Sequence, residues 1–182
     1  MKVTFFGAAG EVTGSAYLIE TDRTRVLLDF GMHQGEREAE QHNRMPERLE
    51  PDRLTAVVLT HAHLDHCGRL PMLMPGGFDG PIYATPATIE VTGIILRDSA
   101  RIQEADAERA NRYAKGTGSS PIKPLYGIEE VEAVMKLFRP ARYMQPTEVA
   151  PGISIRFFDA GHILGSASVE MTVEEKGRKR VI

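Results

Sequence analysis

His61, His63, Asp65 and His66 fall within one six-residue stretch as H-x-H-x-D-H, and half of the chain's six histidines are spent there. Imidazole and carboxylate are donor types with which proteins hold Zn2+. A single ion rarely draws four ligands from so tight a loop. Two ions sharing it would, with His61 and His63 on one and Asp65 and His66 on the other. A pair of ions about 3.5–4 Å apart can generate a bridging hydroxide and clamp the scissile group between them. A merely solvated polar loop is the weaker reading, because the segment follows an apolar strand ending in Thr60 and soon meets Gly68.

His162 lies in Phe158-Asp159-Ala160-Gly161-His162-Ile163-Leu164-Gly165-Ser166, past the end of a strand. Alone it would read as a core or turn histidine satisfied by backbone hydrogen bonds. Beside the first motif it reads as the third imidazole of the first ion. Asp29 ends an apolar strand before Gly31, which suits a carboxylate that orients a metal-bound imidazole through its other ring nitrogen; a turn-capping aspartate is the alternative. His33 and His42, in a polar loop, read as bystanders. Cys67 reads as a small buried residue rather than a ligand.

The elements that must position these groups follow from pattern. Val3–Phe6 is β-prone, and Ser15–Glu20 and Arg25–Phe30 form a hairpin through Thr21–Thr24. Residues 32–53 read as loop, with a helical turn near Arg37–Glu40. Thr55–Thr60 is a buried strand, Leu64–Met74 a short helix and Pro81–Ala84 a strand. Thr85-Pro86 then caps a helix that runs to about Arg112, its inner face expected at Val91, Ile94, Ile95, Ile102 and Ala105. Residues 113–127 read as exposed loop. Ile128, Val131, Val134, Met135 and Phe138 mark a second helix, stopped by Arg139-Pro140. Ile153–Asp159, Ala167–Val173 and a run beginning at Arg178 are strands, and Lys176-Gly177-Arg178-Lys179-Arg180 reads as a charged hairpin turn. Strands and helices mix without strict alternation, which indicates an α+β layering.

The bulk properties exclude little else. The chain has 182 residues, 42% apolar and 26% charged, with one cysteine and net charge -3. A disulfide framework is excluded, a cytoplasmic setting is expected, and no apolar run approaches the ~18 residues of a membrane span. Nucleic acid could be held only by a local basic groove, not by global positive charge.

The H-x-H-x-D-H motif resembles the signature of the metallo-β-lactamase superfamily. Gly10-Glu11-Val12-Thr13-Gly14-Ser15, Leu28-Asp29-Phe30-Gly31, His66-Cys67-Gly68-Arg69-Leu70-Pro71 and Asp159-Ala160-Gly161-His162-Ile163-Leu164-Gly165-Ser166 resemble its β-CASP branch, and within it the bacterial and archaeal RNA-processing exonucleases related to the cleavage and polyadenylation endonuclease. The resemblance implies an α+β fold, the αββα sandwich, with a di-zinc site that hydrolyses RNA phosphodiesters. His61, His63 and His162 would hold one Zn2+ and Asp65 and His66 the other, with Asp65 also orienting the attacking water. A metal-bridged hydroxide would attack phosphorus in line. RNA is the implied partner and no membrane is; a homodimer of the intact protein stays open.

Residues 1–182 are expected to be the N-terminal part of such a domain. The family's bridging aspartate, its β-CASP domain and its last metal-binding histidine are not in this sequence, so the fragment itself is expected to be inactive or weakly active, with the aspartate encoded soon after Ile182. Arg69, Arg97, Arg101, Arg112, Lys115 and Lys123 are candidate phosphate contacts, and Tyr113 or Tyr126 a base-stacking platform. Two alternatives remain: another hydrolase of the superfamily acting on a thioester, lactone or β-lactam, and a non-catalytic zinc-binding interaction module.

Overall fold

Val26 and Leu27 are neighbours in one strand, yet each enters a different apolar core. Period-2 alternation makes this unavoidable in a sheet covered on both faces. The structure, a computed structural model, describes residues 1–35, 42–114 and 120–182. Among these residues ten strands form two sheets. The first runs β1 (Lys2–Gly7), β2 (Ala16–Glu20), β3 (Arg25–Leu28), β4 (Ala56–Val58), β5 (Ile82–Ala84) and β6 (Phe138–Pro140) in spatial order. The first three are antiparallel, and β3 to β6 are parallel. The second sheet is antiparallel, in the order β10 (Arg178–Val181), β9 (Ala167–Glu175), β8 (Ile153–Asp159), β7 (Thr147–Ala150).

Leu18, Leu27 and Val57 project from the first sheet onto helix α2 (Pro86–Ala114) and helix α3 (Ile128–Met135), where Leu96, Ala100, Val131 and Val134 meet them. Ile19, Val26, Ala56 and Val58 project the other way, against Ile153, Ile155, Phe157, Met171 and Val173 of the second sheet. Each fully buried aliphatic side chain contributes about 1.5–3 kcal/mol. The result is a helix–sheet–sheet sandwich, the mixed α+β arrangement expected. The fourth layer of an αββα sandwich is not among the described residues.

The expected strands, the hairpin and both long helices are present. Thr85 begins α2 by accepting the Thr88 N–H at 3.3 Å on its Oγ1. Three expectations need correction, and one strand was not foreseen. The inner face of α2 is made by Thr88, Thr92, Leu96, Ser99 and Ala100. Of the expected positions Ile95 packs against the core and Ile94, Ile102 and Ala105 are exposed, because small residues let α2 lie close to its neighbours along a face that hydrophobicity alone did not mark. Phe138–Pro140 does not end α3; it pairs with β5 as a parallel strand. Leu64–Met74 is not one helix but a single turn, α1 (Leu64–Cys67), followed by a 3-10 turn at Leu70–Leu73. Strand β7 carried no periodic signal. The turn expected near Arg37–Glu40 lies outside the described residues. At the other hairpin, Lys176 and Gly177 both have positive φ, 53° and 72°, the geometry of a two-residue turn between β9 and β10.

The parallel register sets where the site forms. β3 and β4 end side by side, so Asp29 and Thr60 emerge together at the carboxyl edge of the sheet. That edge is where open parallel sheets offer side chains to ligands.

Candidate metal centre

Asp29 is 1% exposed and has φ 57°, a left-handed conformation that aspartate tolerates better than most residues. Its backbone N–H continues the parallel pairing to the Val58 carbonyl at 2.9 Å. Its carboxylate turns inward and accepts three hydrogen bonds: Oδ1 from the Thr60 N–H at 2.8 Å, and Oδ2 from the Thr60 hydroxyl at 2.8 Å and from His66 Nδ1 at 2.7 Å. Since the Thr60 hydroxyl donates to Asp29, its lone pair faces His61 Nδ1, 2.9 Å away. His61 and His66 thus both use Nδ1 for support, which leaves each Nε2 free to ligate.

Backbone contacts lock the motif in place. His63 begins α1, its carbonyl accepting the His66 and Cys67 N–H groups at 2.9 Å each. The strand-end segment after β3 backs this turn, with Phe30 N–H on the His66 carbonyl at 2.8 Å and Met32 N–H on the Leu64 carbonyl at 2.8 Å. The approach is so close that a Cβ on Gly31 would stand 1.6 Å from the Asp65 carbonyl oxygen. The loop between β8 and β9 is drawn to the same place by Ala167 N–H on the Thr60 carbonyl at 3.0 Å. Within that loop Ser166 Oγ accepts the N–H groups of His162 and Ile163, each at 3.2 Å.

These constraints bring together residues 99 apart in sequence. His162 Nε2 lies 3.1 Å from His63 Nδ1, and one ring nitrogen from each of His61, His63 and His162 lies within 4.8 Å of the other two. The His66 ring centroid is 4.0 Å from that of His61. Asp65 Oδ2 is 3.7 Å from His66 Nε2. All five candidate ligands therefore stand around one space, and the donor set fits divalent metal: three imidazoles converge, and two of the four have their ring orientation fixed. Electrostatics agree. Burial, and then the neighbouring His66, His63 and His162, push the His61 pKa down to about 4, which keeps it neutral and ligand-competent at pH 7. Burial also pushes His66 down, but the hydrogen bond and charge of Asp29 outweigh it and the net shift is upward.

His63 and Asp65 open onto a groove of about 1290 Å³ whose walls include Asn43, Arg44, Gln103 and Lys123, with Ile95, Ile102 and Leu125 as apolar surface. Here several expectations fail. Arg69 is not a phosphate contact: it is fully buried, its guanidinium over the Phe30 ring and bonded to the carbonyls of Gly31, His42 and Gly14. Tyr126 is no stacking platform either, since it is 3% exposed with its hydroxyl 2.9 Å from Ser99 Oγ. Arg97 is committed to Glu132 at 2.6 Å. Of the remaining candidates Lys123 lines the groove and Arg101, Arg112 and Tyr113 do not; Lys115 lies outside the described residues. Cys67 is buried, donates to the Ala62 carbonyl at 3.3 Å, and has its thiol pKa raised by burial, so it supplies no thiolate. Sequence reasoning missed Thr60, whose place between a strand end and a histidine motif was its only signal, and it missed Arg44.

Comparison with known proteins gives this arrangement a context. Residues 9–163 match the model of the metallo-beta-lactamase superfamily. The chain is 41% identical over 169 residues to ribonuclease TTHA0252 of Thermus thermophilus, covering 93% of this chain and 34% of that protein. It is 34% identical over 181 residues to transcription termination factor FttA of Pyrococcus horikoshii, covering 95% of this chain and 26% of that protein. The chain thus spans about a third or less of these relatives. Among solved structures, a Cronobacter sakazakii metallo-β-lactamase with a HARLDQ motif superposes with TM-score 0.56 at 20% identity, covering 98% of this chain and 54% of that one; at that identity the likeness concerns the fold. Three imidazoles converging at the carboxyl edge of a sheet sandwich, together with a family match over most of the chain, place this protein in the metallo-β-lactamase superfamily.

Proposed function

We propose that this chain is the metal-binding part of a hydrolase of the β-CASP type that cleaves RNA phosphodiesters. The observation that carries it is the convergence of His61, His63 and His162 within 4.8 Å beside Asp65 and His66, in a chain 41% identical to a protein named a ribonuclease. His61, His63 and His162 would hold one divalent ion, and Asp65 and His66 would contribute to a second. Imidazole and carboxylate donors favour zinc. When bound, such ions lower the pKa of a coordinated water and neutralise charge that builds on phosphoryl oxygens.

The chain's own residues prepare that chemistry. Asp29 accepts the Nδ1 proton of His66, and the Thr60 hydroxyl accepts that of His61, so both rings offer an unprotonated Nε2 in a fixed direction. The Asp65 carboxylate, at the mouth of the groove, accepts a proton from the attacking water. Lys123 and Arg44 on the groove wall hold backbone phosphates of a single strand and set the scissile bond against the centre. No helix among the described residues is long and apolar enough to cross a membrane.

The test uses the full-length protein with a labelled RNA and, in parallel, a thioester and a chromogenic β-lactam. The reading expects cleavage of RNA that a chelator abolishes and zinc restores, with His61→Ala inactive. Turnover of the thioester or β-lactam in preference to RNA would overturn it.

A further inference from the structure

A second cluster of ligand side chains shares no residue with the first. One donor atom from each of Glu11, His33 and His42 lies within 4.8 Å of the other two. Glu11 belongs to the loop after β1, and the two histidines to the long segment after β3. In the sequence these histidines had no assigned role.

Polar contacts build the cluster. Asn43 clasps the backbone of His33: its Oδ1 accepts the His33 N–H at 2.7 Å and its Nδ2 donates to the His33 carbonyl at 2.9 Å. This brings His42 beside His33, with ring centroids 5.3 Å apart. Arg69 holds the His42 carbonyl at 3.1 Å and the Gly14 carbonyl at 3.4 Å. Thr13 Oγ1 accepts the Gln34 N–H at 3.0 Å, which draws in the loop bearing Glu11. The His33 ring packs against Gly14, where a Cβ would come within 2.5 Å of both Cε1 and Nε2.

His33 is 7% exposed and its Nδ1 has no hydrogen-bond partner. Glu11 Oε2 is 3.5 Å away, long for a hydrogen bond. A buried, unpartnered imidazole nitrogen is rare enough in folded proteins to require an explanation. Here it faces a carboxylate and a second imidazole.

We propose that Glu11, His33 and His42 form a second site for a divalent transition-metal cation of the zinc type. Two imidazoles and one carboxylate suit Zn2+, while Ca2+ and Mg2+ select oxygen-rich sites. Glu11 and His42 are exposed, so water can complete the coordination. Burial, and then the Arg69 charge, lower the His33 pKa against the pull of Glu11, which favours the neutral imidazole. The Arg69 charge opposes a cation there, and Glu11 offsets it. The ion links two segments that both back α1: Ser15 N–H bonds the Asp65 carbonyl at 2.9 Å, and Met32 N–H bonds the Leu64 carbonyl. Its role is to brace the turn that carries Asp65 and His66. The site is independent of the reaction proposed above.

The test begins with the full-length protein carrying His61→Ala, His63→Ala and His162→Ala, its fold checked by circular dichroism. Equilibrium dialysis against Zn2+ and the visible absorption of Co2+ report what it still binds. The expected result is retention of about one equivalent and its loss when Glu11→Gln and His42→Ala, both at exposed positions, are added. No retained metal in the first variant, or metal that survives the added pair, would overturn the proposal.

Discussion

The Asp29 carboxylate lies 2.7 Å from Nδ1 of His66 and also accepts both the N–H and the hydroxyl of Thr60. One buried carboxylate therefore sets the tautomer of one candidate ligand directly and of a second, His61, through Thr60. The left-handed backbone at Asp29 costs on the order of 1 kcal/mol, which these hydrogen bonds offset.

Asp29→Asn keeps the size of the side chain but removes the charge that holds the Nδ1 proton on His66. Zinc affinity of the variant, measured by competition with a chromogenic chelator, is expected to fall about 10–100-fold. An unchanged affinity would show that Asp29 does not act through His66.

Thr60→Val removes the hydroxyl from between Asp29 and His61 at nearly constant volume. It leaves a buried carboxylate short of one donor, so urea denaturation should show a loss of about 1–3 kcal/mol, and zinc should bind more weakly. Thr60→Ser, which retains the hydroxyl, should restore both.

Arg69 and Lys123 should separate cleanly. Arg69→Met deprives three carbonyls of a donor and is expected to destabilise the protein by about 3 kcal/mol or more. Lys123→Ala should leave stability within about 0.5 kcal/mol but weaken RNA binding and lower the slope of log K against log salt by about 0.7. If Lys123→Ala leaves that slope unchanged, RNA does not follow the groove.

The metal-free protein should weaken in mild acid. His61 titrates at about 4 in the folded state against 6.5 as its ordinary value, so between these pH values the unfolded chain binds a proton that the native state refuses. Stability falls as pH drops from 6.5 toward 4, by about 2 kcal/mol at pH 5. His66 works the other way: its raised pKa adds stability in acid that is lost as pH rises through the folded value. His61→Asn isolates the first effect, and its urea midpoint should change less between pH 7 and pH 5 than that of the unaltered protein.

The unbroken apolar runs Val26–Leu28 and Ala56–Leu59 marked strands buried on both faces, because a strand covered on each side has no polar face to show. The H-x-H-x-D-H spacing likewise announced metal-binding chemistry, since four donors within six residues need no tertiary structure to be noticed. The sequence also marked Asp29 and His162 as strand-end groups aimed at a site. It could not show that α2 buries its small residues and exposes Ile94 and Ile102, because close packing selects volume, not hydropathy. Nor could it show that Arg69 is enclosed, because a cation among backbone carbonyls depends on three segments far apart in the chain. Convergence of His162 on His63, and of Glu11 on His33 and His42, came only with the fold: hydrogen bonds between distant loops set those distances, and no residue spacing encodes them.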